Sequence, residues 1–416
     1  MSNFTYDIAV IGGGASGLCF AVRSKQLYEK YSVAVIEQLQ RVGKKLITTG
    51  NGRCNITNKD ISLSRYHSDN IIFAEYALEN YNNCVAEEFF SGIGIDFVYD
   101  ETGRAYPYSL QASSVVDGLR FSCEHLGVDT FTEQKVLSIA PTKSGYLIKT
   151  SKEQFTAKCV VLASGLYSGG EKSGCNGSIL RMLKDMGYNT VKVSPAIVQI
   201  HTKTETVRQL KGIKVNANVT LKQNGKSLRS EYGEVLFCDY GLSGPPILQI
   251  SRAIGRENAK FTVSLDLMPD YDFNTLLGIL KNRVKILNYR MLDEFFTGML
   301  NKRLGQVIIK YIGKKLSDSV GTLTDGDIKK LISQIKSFEF EVTGLGSFES
   351  SQVTAGGLDT DAFDGKTMMS KKDKGLFAIG EILDVDGDCG GFNLQWAWSS
   401  AMCAADGVAK YLGGEK

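Results

Sequence analysis

The stretch YDIAVIGGGASGLCF, residues 6–20, decides how the chain begins to fold. Its first half, YDIAVI, is an apolar run of strand type. The segment after it, LCFAVRSKQLYEKY, spaces Leu18, Ala21, Val22 and Leu27 to suit a helix with one buried stripe. Between the two, Gly12, Gly14 and Gly17 form G-x-G-x-x-G. Glycines there let the backbone turn tightly and approach a pyrophosphate, whose charge is stabilised by the unpaired amides of the helix that follows. A second strand, SVAVIE, ends on Glu37, twenty positions past Gly17. Strand, glycine turn, helix, strand and acid together predict a dinucleotide-binding unit. Glu37 is then placed to accept hydrogen bonds from an adenosine ribose.

The bulk numbers bound what surrounds this unit. A chain of 416 residues exceeds one ordinary core and predicts two or three domains. With 43% hydrophobic and 22% charged residues and a formal charge of +3, nothing in it announces nucleic acid or an anionic membrane. The start, MSNFTYD, lacks the features of a secretory signal, and no apolar run reaches the ~18 residues needed to span a bilayer. Nine cysteines form no C-x-x-C pair, and His67, His125 and His201 stand far apart. A reduced, cytoplasmic protein without a metal site is the expectation.

Along the chain, 133–164 reads as short strands with turns at SG and SKE, ending in the buried strand CVVLAS. Residues 67–128 read as mostly helical, broken by DETGRAYPYS. After Pro195 the texture becomes alternating strands with a hairpin turn at QNGK, and 270–336 becomes lysine-rich amphipathic helices with solvated charged faces. The expected domains are therefore 1–193 and 353–416 for the nucleotide unit, 194–269 with 337–352 for a β-rich insert, and 270–336 for a helical subdomain. Near the end, LFAIGE repeats the strand-then-acid pattern at Glu381, and Gly390 and Gly391 lead into a last helix. A second acid and a second helix start suit a longer ligand with a ribityl chain and a ring, which favours FAD over NAD.

These residues resemble a family of bacterial NAD(P)/FAD-dependent oxidoreductases, HI0933-like, whose members include aminoacetone oxidase-like and bile-acid-reductase-like flavoproteins. The resemblance is carried by IGGGASG with Glu37, GKKLITTGNGRCNITN at 43–58, GEVLFCDYGLSGPPILQIS at 233–251, TAGGL at 354–358 and GLFAIGEILDVDGDCGGFNLQWAWSSA at 375–401. It implies an α/β fold: a Rossmann-type domain built from both chain ends, with an inserted antiparallel β-barrel-like domain and a small helical subdomain. It also implies noncovalent FAD, held at Gly12, Gly14, Ala15, Ser16 and Gly17, then at Glu37 and Gln38. The 43–58 loop would run beside the pyrophosphate and flavin through Lys45, Gly50, Asn51, Gly52, Arg53, Cys54 and Asn55. Val136 would meet the adenine, with Ala163, Ser164 and Gly165 on the flavin's flank. Gly380, Glu381, Gly391, Asn393 and Leu394 complete the set, the last two near the pyrimidine edge. Where many relatives carry a threonine and a proline, the segment ASGLYSGGEKSGCNGS at 163–178 has Ser164 and no proline.

Only one G-x-G-x-x-G is present, so a nicotinamide donor has to reach the flavin through the substrate cleft. The leading expectation is reduction of an activated C=C bond of a small or medium organic substrate, with NAD(P)H as co-substrate. An oxidase of a small, aminoacetone-like amine using oxygen is the alternative, and a flavin-dependent reductase of a base in RNA is a second. A reductase needs a proton donor, and Cys54, a water bound by Arg53, Tyr106 and Tyr108 are the candidates. The adjacent arginine and the glycine-rich turn could lower the Cys54 pKa, whereas a small thiol packed against the flavin is the commoner use of cysteine in a tight site. Substrate, NADH against NADPH, and oligomeric state stay open at this point.

Overall fold

The computed structural model describes residues 3–255 and 259–413. The chain divides into two compact units, Met1–Pro195 with Phe348–Lys416, and Ala196–Ser347. Among the described residues no helix is long and apolar enough to cross a membrane.

The first unit is built on a seven-stranded sheet. Its strands are β1 (Asn3–Ile11), β2 (Val33–Ile36), β3 (Asp129–Phe131), β4 (Val136–Thr142), β5 (Gly145–Thr150), β6 (Gln154–Leu162) and β7 (Leu376–Ala378). They run in the order β3-β2-β1-β6-β5-β4, with β7 also on β6. The four contacts among β3, β2, β1, β6 and β7 are parallel, whereas β5 pairs antiparallel with both β6 and β4. β6 forks because its two halves differ in sequence. QFTAK alternates buried and exposed residues and pairs with β5, while CVVL is buried throughout and pairs with β7. Alternation suits a sheet with one wet face, and a continuous apolar run suits a parallel sheet covered on both.

Helix Ala15–Leu27 packs against the last helix, Phe392–Tyr411. That last helix carries both tryptophans of the chain, Trp396 and Trp398, fully buried. Their indole N–H groups donate to the carbonyls of Gly380 (3.1 Å) and Ile56 (2.9 Å). In the expected helical region three helices form, Ile72–Asn80, Asn83–Gly92 and Ala112–His125. DETGRAYPYS makes the turn and second strand of a hairpin, Phe97–Tyr99 with Arg104–Pro107, closed by the Asp100 carboxylate, which accepts from the amides of Thr102 (2.9 Å) and Arg104 (3.0 Å).

The second unit is a closed barrel of Ile200–Thr202, Gly241–Ser243, Lys226–Phe237, Lys214–Gln223, Phe261–Asp266 and Phe338–Leu345. Its long hairpin turns at Asn224 (φ 49°) and Gly225 (φ 82°), the left-handed pair that a two-residue turn needs to match strand twist. Helices Phe273–Ile286, Lys302–Tyr311 and Asp325–Lys336 pack on the barrel within the same compact unit. Leu280, Ile308 and Leu331 share one core with Val219, Phe237 and Leu265 of the barrel. Half-buried lysines on and between these helices pair with acids: Lys281 with Asp325 (2.7 Å), Lys314 with Asp327 (2.9 Å) and Lys336 with Asp266 (2.6 Å).

Trp398→Phe removes the indole N–H and one fused ring, leaving the buried Ile56 carbonyl without its donor and a small cavity beside it. The expected loss is about 1–3 kcal/mol of stability, read as a lower urea midpoint with an unchanged slope.

Candidate functional site

The glycine turn is shaped by contacts that fix two of its members and free the third. A Cβ on Gly17 would lie 2.0 Å from the Gly12 carbonyl oxygen, and one on Gly12 (φ 111°) would lie 2.6 Å from that of Ala163. A Cβ on Gly14 would meet nothing within 4 Å. The turn is thus closed on its sheet side, against the Ala163–Gly165 segment, and open at the helix start. No side chain caps that start, and the first turn of Ala15–Leu27 carries no acid. Its amides are available to an anion.

Glu37 stands beside this cradle. Its carboxylate accepts from the amides of Gly13 (2.9 Å) and Leu39 (2.8 Å). Burial lifts its pKa above the ordinary glutamate range, against the pull of these donors. Gln38 donates its side-chain amide to the Gly174 carbonyl. The segment leading to the buried Val136 is tied to the same strand end, Gln134 N–H donating to the Glu37 carbonyl at 2.8 Å.

Glu381 is held differently, by side chains from distant segments. It accepts from Lys45 Nζ (2.5 Å), Ser168 Oγ (2.5 Å) and the Thr354 amide (3.0 Å), and Lys45 also donates to Ser168. Burial works against the Lys45 charge, but Glu381 outweighs it and raises the lysine pKa. Next to it Gly380 (φ 69°) lies so close to Ser16 that a Cβ would stand 2.7 Å from the serine hydroxyl. No local pattern marks Ser168 or Thr354 as partners of Glu381, although Thr354 opens the TAGGL motif.

The 43–58 loop kinks at Thr49 and then runs through left-handed backbone at Gly50, Asn51, Gly52 and Cys54. Arg53 is exposed, its guanidinium 4.9 Å from the centre of the Tyr106 ring, with Nε reaching the Gly50 carbonyl at 3.4 Å. Cys54 packs inward. The thiol is fully buried and burial pushes it up to about 12, opposed only by a hydrogen bond with Thr49. The adjacent arginine does not lower it, because the arginine points outward to Tyr106 while the thiol points into the core. The Asn55 side chain bridges the loop and the start of the last helix. With the amide assigned in the orientation that suits its neighbours, its oxygen accepts from the Gly391 N–H (3.0 Å) and its nitrogen donates to the carbonyls of Thr57 (3.0 Å) and Ala105 (3.2 Å). Its side chain positions backbone.

The same loop clasps the start of the last helix. Asn58 donates to the Gly390 carbonyl (2.8 Å), and Thr57 Oγ donates to Gln395 (2.5 Å). Gly391 (φ 97°) precedes the helix without a side-chain cap or a first-turn acid. The first intrahelical bond is Gln395 N–H to Gly391 O, so the amides of Phe392, Asn393 and Leu394 have no acceptor inside the helix. The Asn393 side chain is engaged with the Gly387 backbone in both directions at 2.8 Å. Just ahead, buried Asp388 bonds His67 Nε2 at 2.9 Å, a pair that sequence spacing could not announce.

Two open helix starts, each near a strand-terminal acid, fit a dinucleotide whose pyrophosphate meets one and whose flavin edge meets the other. The family model described as the HI0933-like protein Rossmann domain matches residues 6–407. The chain belongs to this HI0933-like family. It is thereby a flavin-type oxidoreductase with a Rossmann-type domain and an inserted barrel. It is 31% identical to a 3-dehydro-bile acid delta(4,6)-reductase of Clostridium scindens, over 97% of this chain and 99% of that protein. Ribosomal RNA dihydrouridine synthase of Escherichia coli is 30% identical, over 97% and 98%. The enzyme of that name from Haemophilus influenzae is 28% identical, over 99% and 100%. In fold alone the chain is similar to a 3-ketosteroid delta1-dehydrogenase from Sterolibacterium denitrificans, with TM-score 0.51 and 14% identity over 98% of this chain and 99% of that one.

Two substitutions separate the roles in the glycine turn. Gly17→Ala is expected to destabilise the protein by about 3 kcal/mol or to prevent folding, since backbone has to move. Gly14→Ala is expected to keep the melting temperature of the ligand-free protein and weaken FAD binding at least about tenfold, measured by fluorescence titration. A thiol held near 12 predicts that Cys54 resists iodoacetamide at pH 7 in the native protein and reacts after denaturation, as mass spectrometry of its peptide would record.

Proposed function

We propose that the protein is an FAD-dependent reductase that draws hydride from NAD(P)H and saturates a C=C bond conjugated to a carbonyl group in an organic substrate. The observation that carries this reading is the shared chemistry of the curated relatives, which match the chain over nearly its whole length. A delta(4,6) reduction of a 3-dehydro steroid and the making of dihydrouridine both saturate a carbon–carbon bond in conjugation with a carbonyl.

When bound, FAD supplies the hydride relay between donor and substrate. The chain's own residues bind and orient. Gly14 and the amides after it take the pyrophosphate, and Glu37 takes the adenosine ribose. Glu381, steadied by Lys45 and Ser168, takes ribityl hydroxyls. The amides at the start of the last helix face the pyrimidine edge, where their dipole favours negative charge. Hydride delivered to one carbon of a conjugated bond demands a proton at the other and a hydrogen bond to the carbonyl oxygen. Arg53, held over Tyr106 in an exposed loop, fits the oxygen-binding role, and a water on its guanidinium fits as proton source. Buried Cys54 does not.

The test is anaerobic. Adding NADH or NADPH alone should bleach the yellow protein, and an α,β-unsaturated ketone should restore the colour. Failure of both donors to bleach it sinks the reading. Arg53→Lys should leave FAD content unchanged and lower kcat/KM for the ketone about 10–100-fold, because a point charge replaces a planar fork. The ribosomal RNA dihydrouridine synthases among the relatives favour a second reading, a uracil base in RNA as acceptor. Dihydrouridine formed in ribosomal RNA, with no turnover of free enones, would decide for it.

A further inference from the structure

We propose that Arg104 sets the reduction potential of the bound flavin by adding its charge to the open start of the last helix. The inference rests on the functional reading, which puts the flavin's pyrimidine edge at that helix start.

Strand pairing brings Arg104 there. It opens the strand Arg104–Pro107, which lies between Phe97–Tyr99 and Thr57–Asn58, and its direct partner across the sheet is Asn58. Asn58 in turn donates to the Gly390 carbonyl at 2.8 Å. A Cβ on Gly390 (φ 137°) would stand 3.4 Å from Arg104 Nε and 3.3 Å from the Phe392 ring. The glycine thus leaves room for the side chain two residues ahead of Phe392, where the helix amides begin. The Cys389 thiol registers the same charge, which pulls its pKa down against the upward push of burial.

Partnership separates Arg104 from the other cation at this end of the helix. Arg65, 5.7 Å from the centre of the Phe392 ring, is matched by Asp60 (2.5 Å) and Asp388 (3.8 Å). Asp100 is the acid that feels Arg104, but its carboxylate is taken up by the amides of Thr102 and Arg104 and by the Thr102 hydroxyl (2.7 Å). Among the described residues no carboxylate closes an ion pair with the Arg104 guanidinium. A half-buried cation beside three amides that have no acceptor inside the helix makes one region of positive potential. Negative charge gathers on the pyrimidine edge when flavin is reduced, so that region favours the reduced form. Tyr106, two residues along the same strand and hence on the same face, carries Arg53 over its ring. One sheet face therefore presents a cation for the substrate oxygen and another for the electron-accepting state.

The FAD-loaded full chain is reduced anaerobically with dithionite against a reference dye, for the wild type, Arg104→Gln, Arg104→Lys and Lys59→Gln. Lys59 is the control, an exposed cation of the same sheet whose ammonium lies over the Tyr99 ring at 4.4 Å. The expected result for R104Q is an equilibrium shifted about tenfold toward oxidised flavin, about 30 mV lower for a two-electron couple. R104K keeps most of the wild-type potential, and K59Q keeps all of it. A wild-type potential in R104Q, or a shift as large in R104K or K59Q, overturns the proposal. Should R104Q fail to hold FAD, the FAD affinity of R104K decides: wild-type affinity supports the charge, and an equal loss overturns it. The titration needs no nicotinamide, so if neither NADH nor NADPH bleaches the flavin, the functional reading fails while the potentials still decide the role of Arg104.

Discussion

One clasp carries the first unit. The segment Cys54–Asn58 is bonded to the start of the last helix through Asn55 to Gly391, Asn58 to Gly390, Thr57 to Gln395, and the Trp398 indole to Ile56. These residues are more than 330 positions apart in sequence. Closing so long a loop costs little more than closing a shorter one, because loop entropy grows only with the logarithm of length. The bonds sit in a core from which water is excluded, so each unmade partner would be costly. The clasp therefore brings a loop from one chain end and a helix start from the other into one place and holds them in register.

The forked strand β6 makes that meeting possible. Its apolar half accepts β1 on one side and β7 on the other, both parallel. Glu37 follows β2 and Glu381 follows β7, so both acids arise at the carboxyl ends of parallel strands, where open α/β sheets place their ligands. The two are steadied by unlike means. Glu37 rests on backbone amides of its own turn region, whereas Glu381 depends on Lys45, Ser168 and Thr354. The first arrangement comes with any such turn; the second is particular to this chain's long-range packing.

The difference tracks what could be read beforehand. The order strand, glycine turn, helix, strand was legible because each element is written in local spacing, and so was the QNGK hairpin. For Cys54 the sequence left two readings, an activated thiol and a packed one, and the structure turns it inward. Its neighbour Arg53 suggested an electropositive setting, but Cys54 has a left-handed φ of 58° that sends the two side chains to opposite sides of the loop. Asn55 reads as a ligand contact in an asparagine-rich loop, and only the structure shows that its side chain also ties Gly391. The helices of 270–336 read as separate because their charges are conspicuous, while their apolar faces close on barrel residues far away in sequence.

By itself the sequence determined the dinucleotide turn, the two acids at strand ends, the barrel's hairpin and the family, since these depend on residue type and on spacing within a few turns of chain. Only the tertiary structure decided which polar side chains stay open and which tie backbone to backbone. It also decided that Arg104 stands beside Gly390, and that Glu381 is held by Lys45. Burial and hydrogen-bond partnership are properties of neighbours in space, and here those neighbours come from segments that no local pattern connects.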